Sequence, residues 1–328
     1  MERDETKAFY LGLDVGGTHL RMACADSEGN RIGEIQKTKW KPEEGPRVAM
    51  KALILSIYEL LNKEGLNKSG LKGIGISLAA IFDRHSGAII KWPNHQSWNG
   101  YPFKKMLQKE YLVPIILEGD CNCAALAEGR FGNALDDKDF LYVNIGTGIG
   151  SSIILNKNCY IGTNGFAGEI GHMRLTEGGA TCKCGSIGCL QAYASGPAFM
   201  KRTEELALEL GEEIVITNVE QIYAFKLKGK AWALNAVDEF TTWLCMGIGQ
   251  MVMTLDLTVI VLGGGVIGAC PKLIEEIRVK LDEWVLPLNR KIEIRSAKFK
   301  DDGGIIGATS LVLPDARKEG LHEAISNY

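Results

Sequence analysis

A histidine and three cysteines, His172, Cys182, Cys184 and Cys189, are spaced to hold one metal ion. The pattern is Cys-x-Cys, then four residues, then a third Cys, with the His ten positions upstream. Gly185 and Gly188 allow the tight turn between the sulfurs. Four such ligands make a closed tetrahedral zinc site with no open position for catalysis. Zinc here is expected to staple a loop, and the chemistry lies in what that loop presents: Glu169, His172 and Gln191, whose polar groups can bond sugar hydroxyls. The alternative is a set of exposed reduced thiols, an oxidation liability.

Two glycine turns carry a second kind of chemistry. In Leu11-Gly12-Leu13-Asp14-Val15-Gly16-Gly17-Thr18, glycines let backbone N–H groups approach phosphate oxygens, and the Thr18 hydroxyl adds a donor. Asp14, at the end of an apolar strand, is placed to hold Mg2+ directly or through water. The run is neither G-x-G-x-x-G nor a Walker A motif, which weakens the Rossmann and P-loop readings. Gly146-Thr147-Gly148 repeats the chemistry. Each turn alone is also a plain hairpin turn; two together favour a nucleotide held by its phosphates. Gly263-Gly264-Gly265, after an apolar strand, lets a backbone lie flat against a nucleoside or simply relieves a crowded strand-helix turn. Asp120 follows a strand and precedes a helix. It suits a base that takes a proton from a substrate hydroxyl, and equally a helix N-cap.

The elements that must position these residues follow from hydrophobic periodicity. Strands are predicted at 9–15, 20–25, 73–78, 87–90, 115–118, 140–145, 151–155, 259–262 and 292–296. Helices are predicted at 48–61, 122–131, 196–210, 219–227, 231–255 and 271–284, with a last one from about Gly304. The rounds starting at Phe9 and Phe140 share one layout: apolar strand, glycine turn, apolar strand. That suggests an internal duplication of a nucleotide-binding half.

The 328 residues allow one large or two medium domains. A net charge of -3 gives no sign of a nucleic-acid or anionic-membrane partner. The charged start, Met1 to Lys7, has no apolar core of a secretory signal. Nine cysteines, an odd number, favour reduced thiols, metal ligation and a cytoplasmic setting over a disulfide framework. Cys24, Cys159, Cys245 and Cys270 lie in apolar surroundings and read as small core residues. The apolar run Trp243 to Leu262 reads as a buried helix, a turn at Asp256-Leu257 and a buried strand; a membrane span is the alternative.

In this order the pieces resemble the ROK family of sugar kinases, within the actin-like/hexokinase superfamily. The resemblance runs from Leu11 to about Leu313, and GxxGExGH followed by CxCGxxGC is its most specific part. It implies an α/β fold of two actin-like, ribonuclease H-like domains, mixed β-sheets flanked by helices, with an interdomain cleft. The smaller domain would comprise residues 1–118 plus about 305–328, and the larger, zinc-bearing one 119–304. The resemblance further implies that Asp14, Gly16, Gly17 and Thr18 form the first phosphate loop and Gly146, Thr147 and Gly148 the second. Gly263, Gly264 and Gly265 would lie near adenosine, and Asp120 would be the general base. Asn94, Glu169, His172 and Gln191 would bind sugar, with His172 also on zinc. ATP, Mg2+ and structural zinc would be the cofactors, sugar and ATP the ligands, and a homodimer or homotetramer the assembly.

Three departures from the family pattern lie on the sugar side. Gly119 stands where Asn precedes the base, Gln191 where a Glu follows Cys-Leu, and Ser77-Leu78-Ala79-Ala80 where Pro-Gly is usual. The reaction expected is phosphoryl transfer from Mg-ATP to a hydroxyl, O6, of a hexose or N-acylhexosamine; glucose, N-acetylmannosamine, N-acetylglucosamine, allose and fructose stay open. The rivals are a sugar-binding member without kinase activity and a sugar-responsive repressor. About eight residues precede Phe9, which argues against a DNA-binding module ahead of it.

Overall fold

The computed structural model describes residues 7–93, 95–287 and 291–314. The chain divides into two compact units, one of residues 7–127 with 302–314, the other Glu128–Asp301. Each has its own apolar core.

The first unit opens with an antiparallel meander of β1 (Phe9–Val15), β2 (His19–Ala25) and β3 (Arg31–Lys39). Helix α1 (Pro46–Lys63) starts at Pro46, whose fixed φ and missing N–H cost nothing in a first turn. It buries Leu53, Ile57, Leu60 and Leu61 on one face, the spacing a helical stripe requires. Then come β4 (Leu71–Leu78), a small hairpin of β5 (Ile81–Phe82) and β6 (Ile89–Lys91), α2 (Phe103–Glu110), β7 (Ile115–Gly119) and α3 (Asp120–Phe131). The sheet order is β3-β2-β1-β4-β7, with β1, β4 and β7 parallel.

The second unit repeats this plan. Strands β8 (Phe140–Ile145), β9 (Ile149–Leu155) and β10 (Asn158–Cys159) form the meander. After the loop carrying the His/Cys set come α4 (Gln191–Ala194), α5 (Gly196–Glu209), α6 (Val219–Leu227) and α7 (Ala231–Leu255). Then follow β11 (Val259–Gly263), α8 (Gly265–Ala269), α9 (Leu273–Leu281) and β12 (Glu293–Ser296). The order β10-β9-β8-β11-β12, with β8, β11 and β12 parallel, matches the first sheet strand for strand. Helix α10 (Gly303–Ser310) returns to the first unit. The mixed α/β class and the repeated strand-turn-strand layout expected from the sequence are both present.

Helix α7 ends where Asp256 turns left-handed, φ 54°, at the turn predicted there. No described helix is long and apolar enough to cross a membrane. Hydrophobic periodicity gives no bounds for β3. It is an edge strand with little buried surface, and its Arg, Glu and Lys side chains mask the alternation that marks a strand.

Two features hold the ends of α3 and α10. In the second unit Glu128, 1% exposed, accepts hydrogen bonds from three backbone amides. Oε2 takes Asn133 N at 2.9 Å, and Oε1 takes Lys298 N at 2.7 Å and Phe299 N at 3.0 Å. In the first unit α10 packs on β1 and β4 at backbone distance. A Cβ on Gly75 would collide with the Ala308 carbonyl, and one on Gly12 with Thr309 Oγ1.

Gly75→Ala is therefore expected to cost at least the ~1–3 kcal/mol typical of an overpacked core, read from urea or thermal unfolding. Gly268→Ala, where nothing lies within 4 Å of the added carbon, should be neutral or slightly stabilising. Equal effects would contradict the close-packing account.

Candidate functional site

In the first unit the chemistry gathers at the C-terminal ends of parallel strands, where open α/β sheets bind ligands. Register pairs Asp14 with Ser77 on β4 and Ser77 with Glu118 on β7. Ser77 Oγ donates to Asp14 Oδ1 at 2.8 Å. Burial raises the Asp14 carboxyl above its ordinary value; Ser77 and Arg21 work against this, and Asp120 and Asp302 add to it. Gly304, at the start of α10, passes so near that a Cβ there would lie 3.0 Å from Asp14 Oδ1. A half-buried, hard oxygen donor at this edge fits Mg2+.

Asp120 begins α3 directly after β7. Its side chain reaches solvent, and Oδ1 accepts from Cys121 N at 2.8 Å. Desolvation by the surrounding protein raises its carboxyl, partly offset by the Cys121 hydrogen bonds. The exposure governs access, and the desolvation increases proton affinity, both useful in a general base. In the turn between β1 and β2, Gly16 N donates to His19 O at 3.1 Å, and Thr18 Oγ1 lies 3.0 Å from His19 Nδ1. Asn94 lies outside the described residues.

The sequence analysis missed one ion pair here. Arg84, in the β5-β6 hairpin, grips Glu118 with both terminal nitrogens, each at 2.7 Å. Glu118 Oε1 also accepts from Gly119 N at 2.8 Å and Asn122 Nδ2 at 2.9 Å. The hairpin is thereby fixed to the end of β7, one residue before Gly119 and two before Asp120. A Cβ on Gly119 would meet only Asn122 Nδ2, at 4.0 Å, so this departure leaves open space at the edge. Nothing in Asp83-Arg84-His85-Ser86 signals the pair, because the partner is 34 residues away.

In the second unit the two glycine segments meet. Gly146-Thr147-Gly148 follows β8, and Gly263-Gly264-Gly265 ends β11 and opens α8. Gly264, φ 90°, runs against the backbone of Ile145, where no side chain fits. Gly146 N donates to Gly148 O at 2.9 Å, and Gly146 O accepts from Gly196 N at 2.8 Å. The turn is thus fixed to the first residue of α5.

The four candidate metal ligands converge within 4.8 Å of one another. Cys184 and Cys189 sulfurs are 3.8 Å apart, and His172 Nδ1 is 3.9 Å from Cys182 Sγ. Zinc-sulfur bonds of about 2.3 Å in a tetrahedron require sulfurs about 3.8 Å apart, so the donor set fits zinc. Backbone hydrogen bonding from Ser186, helped by Cys182, holds the Cys184 thiol down at about 6. Burial pushes Cys189 up to about 12. Glu169 is exposed just before the short turn Ile170–His172, and Ser151 Oγ anchors the loop through the Gly168 carbonyl. Gln191 opens α4 with both ends of its amide engaged. Nε2 donates to Cys182 Sγ at 3.1 Å, and Oε1 accepts from Ile149 N at 3.3 Å.

The ROK family model matches residues 10–315. A glucokinase from Halalkalibacterium halodurans is 32% identical over 315 residues, 93% of this chain and 94% of the enzyme. A xylose repressor from Bacillus subtilis is 28% identical, over 94% of this chain and 78% of the repressor. The crystal structure of a ROK hexokinase from Thermus thermophilus superposes with a TM-score of 0.81 at 26% identity, covering 94% of this chain and 99% of that one.

Removing Arg84 would strand the Glu118 carboxylate, which is 5% exposed. Arg84→Met should therefore destabilise by about 2 kcal/mol, below the ~3–5 kcal/mol of a fully buried broken pair, because Arg84 is 25% open to solvent. Unchanged denaturant unfolding would remove the pair from the account of the site.

Proposed function

The chain belongs to the ROK family, and on that premise we propose that it is an ATP-dependent sugar kinase acting on O6 of a hexose or N-acylhexosamine. The observation that carries this reading is Asp120. It is a solvent-reaching carboxylate of raised proton affinity, at a parallel-strand edge beside Asp14.

In the transfer, the substrate hydroxyl gives its proton to the Asp120 carboxylate as its oxygen bonds to the γ-phosphorus. The bond from that phosphorus to the β–γ bridging oxygen breaks, and ADP leaves. Such chemistry is mainly positioning and charge stabilisation. The backbone N–H groups of Gly17 and Thr18 and of Thr147 and Gly148 are the donors offered to phosphate oxygens, the Gly16 and Gly146 N–H groups closing the turns themselves. Gly263–Gly265 offers a flat backbone to the nucleoside. Asp14, oriented by Ser77, would hold Mg2+, which when bound neutralises charge on the β- and γ-phosphates. His172, Cys182, Cys184 and Cys189 would hold zinc, which supplies rigidity and no reaction step. Glu169 and the Nε2 edge of His172 would bond sugar hydroxyls from that loop. Asn94 is proposed as a further sugar ligand. The space at Gly119 favours a sugar that does not need the missing amide at that position.

The second reading, a sugar-binding regulator, rests on the repressor similarity. A repressor has no use for a base whose ionisation controls turnover, so the two readings separate at Asp120.

Asp120→Asn should lower turnover by about 10²-fold or more in a coupled ADP-release assay over a panel of hexoses and N-acylhexosamines. Near-normal turnover would remove Asp120 as base. In the unmodified protein the base works ionised, so activity falls as pH drops through its pKa. Because that pKa is raised from 3.8, the acid limb of kcat should be centred above this value. Cys184→Ser should lose zinc and thermal stability together. A fully active, zinc-free variant with unchanged melting would contradict the staple.

A further inference from the structure

Gln191 joins two parts of the second unit that lie far apart in sequence. On one side its Nε2 donates to Cys182 Sγ at 3.1 Å, a bond between residues nine apart. On the other its Oε1 accepts from Ile149 N at 3.3 Å, 42 residues away. Ile149 is the first residue of β9, where the Gly146-Thr147-Gly148 turn becomes strand. The same oxygen lies against the turn itself: a Cβ on Gly148 would sit 2.9 Å from Gln191 Oε1. The Ile149 carbonyl in turn packs under Gly171, leaving no room for a side chain beside His172. One amide therefore spans from a metal-ligating sulfur to the glycine turn.

In this chain the span is made by an amide; the glutamate usual in the family pattern lacks the donor for the sulfur and could not make the same link. A zinc-bound cysteine is a thiolate, an acceptor carrying negative charge. The Ile149 N–H is a donor. Only a group with a donor at one end and an acceptor at the other satisfies both, and the glutamine side chain has this form. A glutamate could still accept from Ile149 N–H. Its second oxygen would face the sulfur, setting two negative groups together with no proton between them. Outer-shell hydrogen bonds of this kind orient metal ligands and tune their affinity.

We propose that Gln191 is a positioning residue that locks the Gly146–Gly148 turn to the metal centre through Cys182 Sγ and Ile149 N. Metal occupancy then sets how firmly the turn holds the phosphates of a nucleotide. The phosphate half of this inference rests on the kinase reading; the metal half does not.

Two isosteric variants test it in the zinc-loaded, full-length protein. Gln191→Glu opposes the thiolate, and Gln191→Met removes both polar ends. Zinc release to a chromophoric chelator should be about tenfold faster in Gln191→Glu than in the unmodified protein, and faster by a smaller factor in Gln191→Met. ADP affinity, measured by calorimetry without sugar, should fall in both. Stripping zinc should weaken ADP binding in the unmodified protein and have little further effect in Gln191→Met.

Zinc release at the unmodified rate in both variants would overturn the proposal. So would equal weakening by zinc removal with and without Gln191, or failure of the unmodified protein to take up zinc. Failure to bind any adenine nucleotide would refute the kinase reading instead, and the zinc-release rates would still decide for or against the Gln191 link.

Discussion

Helix α10 lies against β1 and β4 at a distance that only absent side chains permit. Gly12 and Gly75 clear the sheet side, and Gly307 clears the approach to the Cys123 carbonyl of α3. The positions of the first unit's reactive groups depend on this contact. Asp14 ends β1 next to Gly304 of the helix, Ser77 ends β4, and Asp120 begins the helix that Gly307 touches. A single methyl in the groove would move the strand ends or push the helix away. Because packed interiors resist compression, the displacement would reach the carboxylates.

The same strand order serves the two units differently. In the first, the parallel edge carries carboxylates: Asp14 and Glu118 flank Ser77 in register, and Asp120 follows two residues past Glu118. In the second, the corresponding edge carries glycine segments after β8 and β11, with backbone donors in place of side-chain acceptors. The first unit elaborates its plan with the β5-β6 hairpin, fixed by Arg84 on Glu118. The second uses the loop between β10 and α4, fixed by its sulfurs and by Gln191. Each insertion is held by a polar side chain with two engaged ends, a device that fixes orientation as well as distance.

Much of this was legible in the chain. The buried strands β1, β4, β8 and β11 are continuous apolar runs bounded by glycine, and α7 keeps a helical stripe up to Asp256. The metal set was legible because its ligands are close in sequence. What stayed hidden depends on distant partners. Arg84 looks like any charged turn residue until Glu118 is placed beside it. Gln191 could be read as a departure from a pattern, but not as a bridge, because Ile149 is brought to it only by the turn between β8 and β9. The bounds of strand β3 were hidden for another reason. A solvated edge needs no apolar alternation, so its sequence has none to show.

The route of the backbone sets an order in time. Residues 128–301 form one continuous unit, whose core needs nothing made later. The first unit is begun first and finished last, because α10 reaches it only after Asp301 has been made. During synthesis β1 and β4 leave the ribosome with their glycine-lined face uncovered while more than 200 further residues are added before α10, and domains tend to fold as units as they emerge. The groove that lets α10 approach so closely is also an apolar surface awaiting its occupant. For much of the protein's birth, the earliest strands wait for the last helix of their own unit to cover them.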